Sequence, residues 1–186
     1  MKTIRCKNGV LSRFFGAAVF IVFMPVIAVF GVFTPNAYAV DARYGFLEQL
    51  HGHTCAGSLI GARLAIAARE AIGSGGKFRA TYYDLSCPVD GIQVFAGTTV
   101  GNKALTVKDR DEHLLVLTDK KSGRKVEARL TRKAEEMGKS YRNLSRKIRS
   151  LPDKSAQRIE IAQEIKVLLD WFRTAPQKEV VKVTIH

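Results

Sequence analysis

His51-Gly52-His53-Thr54-Cys55-Ala56-Gly57-Ser58-Leu59-Ile60-Gly61-Ala62-Arg63-Leu64-Ala65-Ile66-Ala67-Ala68 is the run on which the fold of this chain turns. Leu59, Ala62 and Ile66 recur at helical spacing, which predicts a helix from near Ala56 to about Ile72. Gly57, Gly61, Ala65 and Ala68 form a stripe of small residues along one side of it. Glycine inside a helix costs about 1 kcal/mol relative to alanine. Two glycines here therefore imply that another backbone comes close. A buried helix packed on a sheet also accounts for the stripe. The run Gly73-Ser74-Gly75-Gly76 ends the helix as a turn.

Working outward, Phe46 to Leu50 reads as a short amphipathic lead-in segment. Lys77 to Ser86, with Phe78, Thr81, Tyr82 and Tyr83, reads as a strand. Cys87-Pro88-Val89-Asp90 then opens a short helix, since a proline at the first helical position loses no hydrogen bond. Further strands fall at Ala104 to Lys108, His113 to Thr118 and Arg124 to Leu130, the last two joined by Lys120-Lys121-Ser122-Gly123. The C-terminal third predicts two helices separated at Leu151-Pro152-Asp153. The first carries the apolar stripe Ala134, Met137, Tyr141, Leu144 and Ile148, and the second carries Ile159, Ala162, Ile165, Leu168 or Leu169, and Phe172. Val181, Val183 and Ile185 alternate with Lys182 and Thr184, as in a strand returning to the sheet. The fold class is α+β: a mixed or antiparallel sheet against helices, in one core domain with a C-terminal helical segment.

The N-terminus has the pattern of a secretory signal peptide over residues 1–39, leaving a domain at 40–186. Lys2, Arg5, Lys7 and Arg13 precede the apolar run Phe14 to Phe33, Pro35-Asn36 is a helix break, and Ala37-Tyr38-Ala39 fits a cleavage site. An uncleaved anchor is the alternative. The expected location is periplasmic or secreted. The formal net charge is +13, of which the leader takes four positive charges and Cys6 with it. The remaining domain is strongly basic and keeps two cysteines, Cys55 and Cys87. Such a charge suits an anionic membrane surface, reached through the basic helix face from Lys133 to Arg149, or an acidic partner. That face also reads as plain solvated surface. Nucleic acid is not expected for an exported chain. A homodimer and a redox-enzyme partner stay open.

Histidine and cysteine are ligands for zinc and related metals. Here they precede a helix, where unpaired amides favour negative charge. The metal reading takes His53, Cys55 and Cys87 as ligands, with His51 or Asp90 as a fourth ligand or supporting group. Positions two apart converge only on a turned backbone, which a loop before the helix permits. A second reading pairs Cys55 as nucleophile with His51 or His53, with no orienting carboxylate identifiable from the sequence. A third is a disulfide, which closes a loop of about 33 residues and stabilises by about 3–4 kcal/mol. His113, at a strand start, His186, at the terminus, and the charged turn Asp109 to Glu112 read as surface. No phosphate loop, dinucleotide fingerprint or haem-attachment motif is present.

Three blocks in order carry a family resemblance. They are His51-Gly-His53-Thr-Cys55-Ala-Gly57 with Gly61 and Arg63, then Cys87-Pro-Val-Asp90-Gly-Ile-Gln93, then Gly97-Thr98-Thr99-Val-Gly101. On these the chain resembles the FmdE family, named for a component of formylmethanofuran dehydrogenase, and the similarity extends to Ala175-Pro176 and Val180 to Val183. The resemblance implies an α+β core with a metal-binding cleft lined by the His and Cys residues, and zinc or another transition metal as its occupant. Two departures stand out: Thr98 occupies a position where the family often has cysteine, and Gly101-Asn102-Lys103-Ala104-Leu105 replaces a Gly-Lys-Gly-Asn-Leu segment. The cysteine pairs of a C-terminal zinc ribbon, carried by some members, are missing. What carries over is the fold and site, not formylmethanofuran oxidation, which is cytoplasmic chemistry. Metal handling or an accessory role to a redox enzyme are the expected tasks, and an enzyme using the same cleft, through metal-activated water or the Cys55 thiol, is the alternative.

Overall fold

Two helices cross with almost no space between their backbones, and the rest of the domain is arranged around them. The computed structural model describes residues 35–186 apart from Ser74, with side chains described from residue 42 onward. Most of the predicted signal peptide lies outside the described residues. The elements run α1 (Pro35–His51), α2 (Ala56–Ile72), β1 (Phe78–Tyr83), α3 (Pro88–Ala96), β2 (Leu105–Val107), β3 (Glu112–Asp119), β4 (Lys125–Leu130), α4 (Arg132–Arg149), α5 (Ala156–Thr174), α6 (Gln177–Val180) and β5 (Val181–Ile185). Pro35 does not break a helix but begins one, because the first turn needs no N–H from it. The expected lead-in segment is the last part of that helix. Among its residues with described side chains, the buried ones, Tyr44 and Leu47, lie beyond the predicted cleavage point.

The sheet is mixed, with strand order β2-β1-β3-β4-β5. β1 and β2 are parallel, joined through α3, and the other neighbours are antiparallel. Alternation decides which face is covered. On β4, Val126, Ala128 and Leu130 are buried, while Lys125, Glu127 and Arg129 point away. The outward face carries ion pairs of Arg129 with Glu112 and Glu127. The inward face meets α2, whose Leu59, Ala62, Leu64, Ala65 and Ala68 are almost wholly buried. No helix among the described residues is long and apolar enough to cross a membrane.

The stripe of small residues on α2 is the seat of α3. A Cβ added at Gly61 would lie 1.9 Å from the Pro88 carbonyl oxygen, and one at Gly91 would lie 2.2 Å from the Ser58 carbonyl oxygen. A Cβ at Gly57 would come within 2.7 Å of Cys87 Cβ. Glycine is required on both helices because each backbone fills the space where the other's side chain would stand.

α1 is fastened to α3 by a different device. The Arg43 guanidinium donates to the Val94 and Phe95 carbonyls at 3.0 and 2.7 Å, at the end of α3 where carbonyls have no helical partner. It also lies 4.4 Å from the centre of the Phe95 ring, which Tyr44 contacts as well. Arg63 does similar work at the end of α5, donating to the Arg173 and Ala175 carbonyls. Arg63 is thus a structural residue.

The two C-terminal helices fall where predicted, with the short α6 added before β5, but on α5 the expected Ile159 and Ala162 are exposed and Ile161 is buried in their place. Ala134 and Gly138 of α4 are buried, and Ile161, Leu168 and Phe172 of α5 enter the core.

Gly61→Ala is expected to destabilise the fold by about 3 kcal/mol or more, because the overlap is with backbone that cannot rotate aside. Gly45→Ala on α1, where an added Cβ meets nothing within 4 Å, should raise stability by about 0.5–1 kcal/mol. Urea unfolding of the two variants beside the parent checks both signs.

Candidate metal centre and cleft

Three helix ends converge at the crossing. α1 finishes at His51, and Gly52, with φ of +83°, turns the chain in a conformation that side-chain-bearing residues rarely adopt. Two residues later Cys55 caps α2. Its sulfur accepts the Ser58 N–H at 3.3 Å, and Ser58 Oγ lies 3.4 Å from the Cys55 N–H in return. Cys87 caps α3 with no hydrogen bond from its side chain to the helix, and it is exposed where Cys55 is buried. The Gly57–Cys87 approach brings this second sulfur to the start of α2.

The ligand atoms of His51, Cys55 and Cys87 all lie within 4.8 Å of one another. His51 Nε2 stands 3.4 Å from the Cys55 sulfur. Its other ring nitrogen, Nδ1, lies 2.7 Å from Asp90 Oδ2. An ionised carboxylate only accepts, so Nδ1 carries the proton and Nε2 presents a lone pair towards the sulfurs. Gln93 donates to the other Asp90 oxygen at 3.3 Å. Both thiols are free. Although Cys87 as a residue is exposed, partial desolvation of its sulfur against the helix starts pushes the thiol up to about 11, with the neighbouring Cys55 adding to the shift.

Each predicted site residue has a definite place. His51, Cys55 and Cys87 form the cluster, and Asp90 orients His51. His53 sits on the turn, its ring 4.8 Å from that of His51, and lines the cleft beside the cluster. The donor set suits a transition metal: two sulfurs and one imidazole, the imidazole held by a carboxylate as metal-bound histidines usually are. One ion at bond lengths of about 2.0–2.3 Å requires the three atoms to draw together by about 1 Å. That movement is small for side chains at helix ends. The residues present fit such an ion, and it would supply Lewis acidity at the floor of the cleft.

The cluster opens into a cleft of about 380 Å³. Ala56, Ile60 and Pro88 give it apolar walls, and α4 closes the opposite side with Gly138, Tyr141, Arg142, Ser145, Arg146 and Arg149. Burial holds the Tyr141 phenol above its usual range.

A second polar group also reaches this cleft. His113 lines it, with Nδ1 2.8 Å from the Tyr82 hydroxyl and 3.4 Å from Asp84 Oδ2, while Ser86 donates to the same carboxylate oxygen. Burial, then Asp84, push the Tyr82 phenol up, so it stays protonated and donates to His113. Burial lowers His113 below its ordinary value, with Asp84, Asp111 and Glu135 opposing and Arg142 assisting. Neither Tyr82 nor Asp84 carries a signal in the sequence. Strand pairing of β1 with β3, irregular at Tyr82/Tyr83, is what brings them to His113.

Fold and site together define a small α+β protein with a His–Cys–Cys cluster at the floor of a cleft. The chain belongs to the FmdE family, whose model (FmdE, molybdenum formylmethanofuran dehydrogenase operon) matches residues 50–182. Among solved structures it is similar to a tungsten formylmethanofuran dehydrogenase FmdE-like protein from Syntrophus aciditrophicus. The TM-score is 0.56 at 20% identity, over 79% of this chain and 71% of that one. No curated protein matches it.

Two expectations follow from the buried polar groups. A histidine whose folded value is depressed stabilises the fold fully above its unfolded value of 6.5, and that contribution is lost as pH falls below it. Stability should therefore drop between about pH 7 and pH 5, and His113→Gln should flatten part of that slope in urea unfolding at several pH values. Thr98 is buried, and its hydroxyl has no hydrogen-bond partner among the described residues. Thr98→Val should leave the melting temperature unchanged or raise it, corresponding to up to about 1 kcal/mol.

Proposed function

We propose that this FmdE-family protein is exported and holds zinc or another transition metal through His51, Cys55 and Cys87, with Asp90 fixing the imidazole. One observation carries the reading: donor atoms from three separate helix ends lie within 4.8 Å of one another, with a carboxylate 2.7 Å behind the histidine. Three protein ligands leave a coordination position facing the cleft, as in exchangeable or catalytic sites rather than closed structural ones. The role we assign is metal handling or service as an accessory to a redox enzyme outside the cytoplasm. The basic, apolar N-terminal segment supports export, with cleavage after Ala39. Such cleavage keeps Tyr44 and Leu47, the buried residues of α1 among those whose side chains are described.

An enzyme using the same cleft is the second reading, favoured by one feature. Asp90, His51 and Cys55 form a continuous hydrogen-bonded series, the parts of an activated thiol with its base and an orienting group. A thiol nucleophile has no need of Cys87, whereas a metal site does.

The test is to reduce the protein, load it with zinc, remove the excess and measure the metal that stays. About one ion per chain is expected. Cys55→Ser, Cys87→Ser and His51→Ala should each weaken binding by more than the roughly 10–100-fold expected of Asp90→Asn. Retention of no stoichiometric metal, or wild-type affinity in Cys55→Ser, would sink the metal reading. Loss of a measured activity in Cys55→Ser but not in Cys87→Ser would favour the thiol nucleophile.

A further inference from the structure

The wall of the cleft opposite the thiols is more specific than a solvated basic helix. Gly138, Tyr141, Arg142, Ser145, Arg146 and Arg149 follow one another at steps of three, one, three, one and three residues, which is a single stripe of α4. Three arginines therefore line the same space, and the buried Gly138 lets the helix pack close to Ile60 at its edge. Neither Arg142 nor Arg149 has a carboxylate partner among the described residues, and Arg146 donates only to Asn143 Oδ1 at 3.3 Å. Among the described residues, no Asp or Glu lines this cleft. The carboxylates Asp84, Asp111, Glu112 and Glu135 line an adjoining cavity that shares Arg142 and His113 with this cleft, while Arg146 and Arg149 line the cleft alone. Unpaired arginines gathered over an apolar-walled pocket make a field that favours an anion and geometry that suits an oxyanion's paired acceptors.

We propose that the cleft takes a small organic anion. Its carboxylate or phosphate end lies against Arg142, Arg146 and Arg149, its hydrocarbon part lies along Ile60, Pro88 and Tyr141, and its other end stands over Cys55 and Cys87. This deepens the metal-site reading by naming the ligand class of the same cleft. The volume of about 380 Å³ admits a metabolite-sized molecule rather than a polymer. His113 and Ser86, also on the lining, supply neutral hydrogen-bonding groups along its length. Anionic lipid at a membrane surface would use the same charges, but it would not need them arranged around a pocket with thiols at its base.

The sulfurs themselves can report on the wall. Iodoacetate and iodoacetamide alkylate a thiol in the same way, and only the first carries a carboxylate. On one protein the ratio of the two rates cancels the thiolate fraction, because the same sulfur attacks both. The measurement uses reduced protein without added metal, on a preparation whose zinc retention is determined separately, so either result can fail without the other.

Relative to 2-mercaptoethanol, the iodoacetate-to-iodoacetamide ratio at Cys87 should be raised about tenfold. In the triple variant Arg142→Gln, Arg146→Gln, Arg149→Gln it should return to that of the free thiol. Lys147→Gln removes one charge from the same helix without touching the cleft, and it should leave the ratio near the wild-type value. All three arginines are exposed, so the triple variant disturbs no packing. A wild-type ratio no higher than that of the small thiol overturns the proposal, as does a triple variant that keeps the wild-type ratio. An equal loss in Lys147→Gln also overturns it, by assigning the preference to general charge. If the triple variant keeps its ratio but loses binding to phosphatidylglycerol vesicles, the arginines belong to a membrane-facing surface and the pocket proposal falls.

Discussion

The contact between the backbones of α2 and α3 is the constraint that the site depends on. With Gly61 against Pro88 and Gly91 against Ser58, no side chain separates the helices. Their starts, capped by Cys55 and Cys87, are then held beside each other. Sulfur atoms far apart in sequence become neighbours because peptide groups sit where Cβ atoms would otherwise be. A wider crossing would keep both helices and the core while parting the sulfurs. The glycines therefore serve the site as much as the fold.

The third donor arrives by another route. α1 is pinned by Arg43 to the far end of α3, so its last residue, His51, falls near Asp90 at the beginning of the same helix. α3 thereby contributes a thiol, the carboxylate that orients the imidazole, and the carbonyls that anchor the imidazole's own helix. Burial of this region has electrostatic consequences. It raises the Cys87 thiol and the Tyr82 phenol and lowers His113, so each of these three groups is favoured in its neutral form. A metal ion lowers the cost of two adjacent thiolates, and the arginines of α4 lie across from them as the positive side of the pocket.

Much of the architecture is written locally. The α2 periodicity, the proline after Cys87, the alternation in β4 and the Lys120 to Gly123 turn each specify their element through backbone preferences that need no distant partner. The small-residue stripe on α2 also signals a close neighbour. It does not identify that neighbour, because a stripe of small residues records that a backbone comes close and not which segment supplies it.

Within the site, residue types are legible and their roles are not. His51 and His53 look equivalent along the chain, and the turn at Gly52 sends one towards the sulfurs and the other to the rim. Arg142, Arg146 and Arg149 read as solvated surface because a basic helix looks alike whether its stripe faces water or a pocket. Tyr82 and Asp84 carry no signal, since their contact with His113 exists only through strand pairing. The sequence by itself determined most of the elements, though neither the start of α1 at Pro35 nor the short α6, and it determined the thiols at two helix starts through local spacing and the family through its motif blocks. Which imidazole joins the sulfurs, which carboxylate supports it and which charges face the cleft were decided only by tertiary structure, because each depends on a distance between segments that no local pattern encodes.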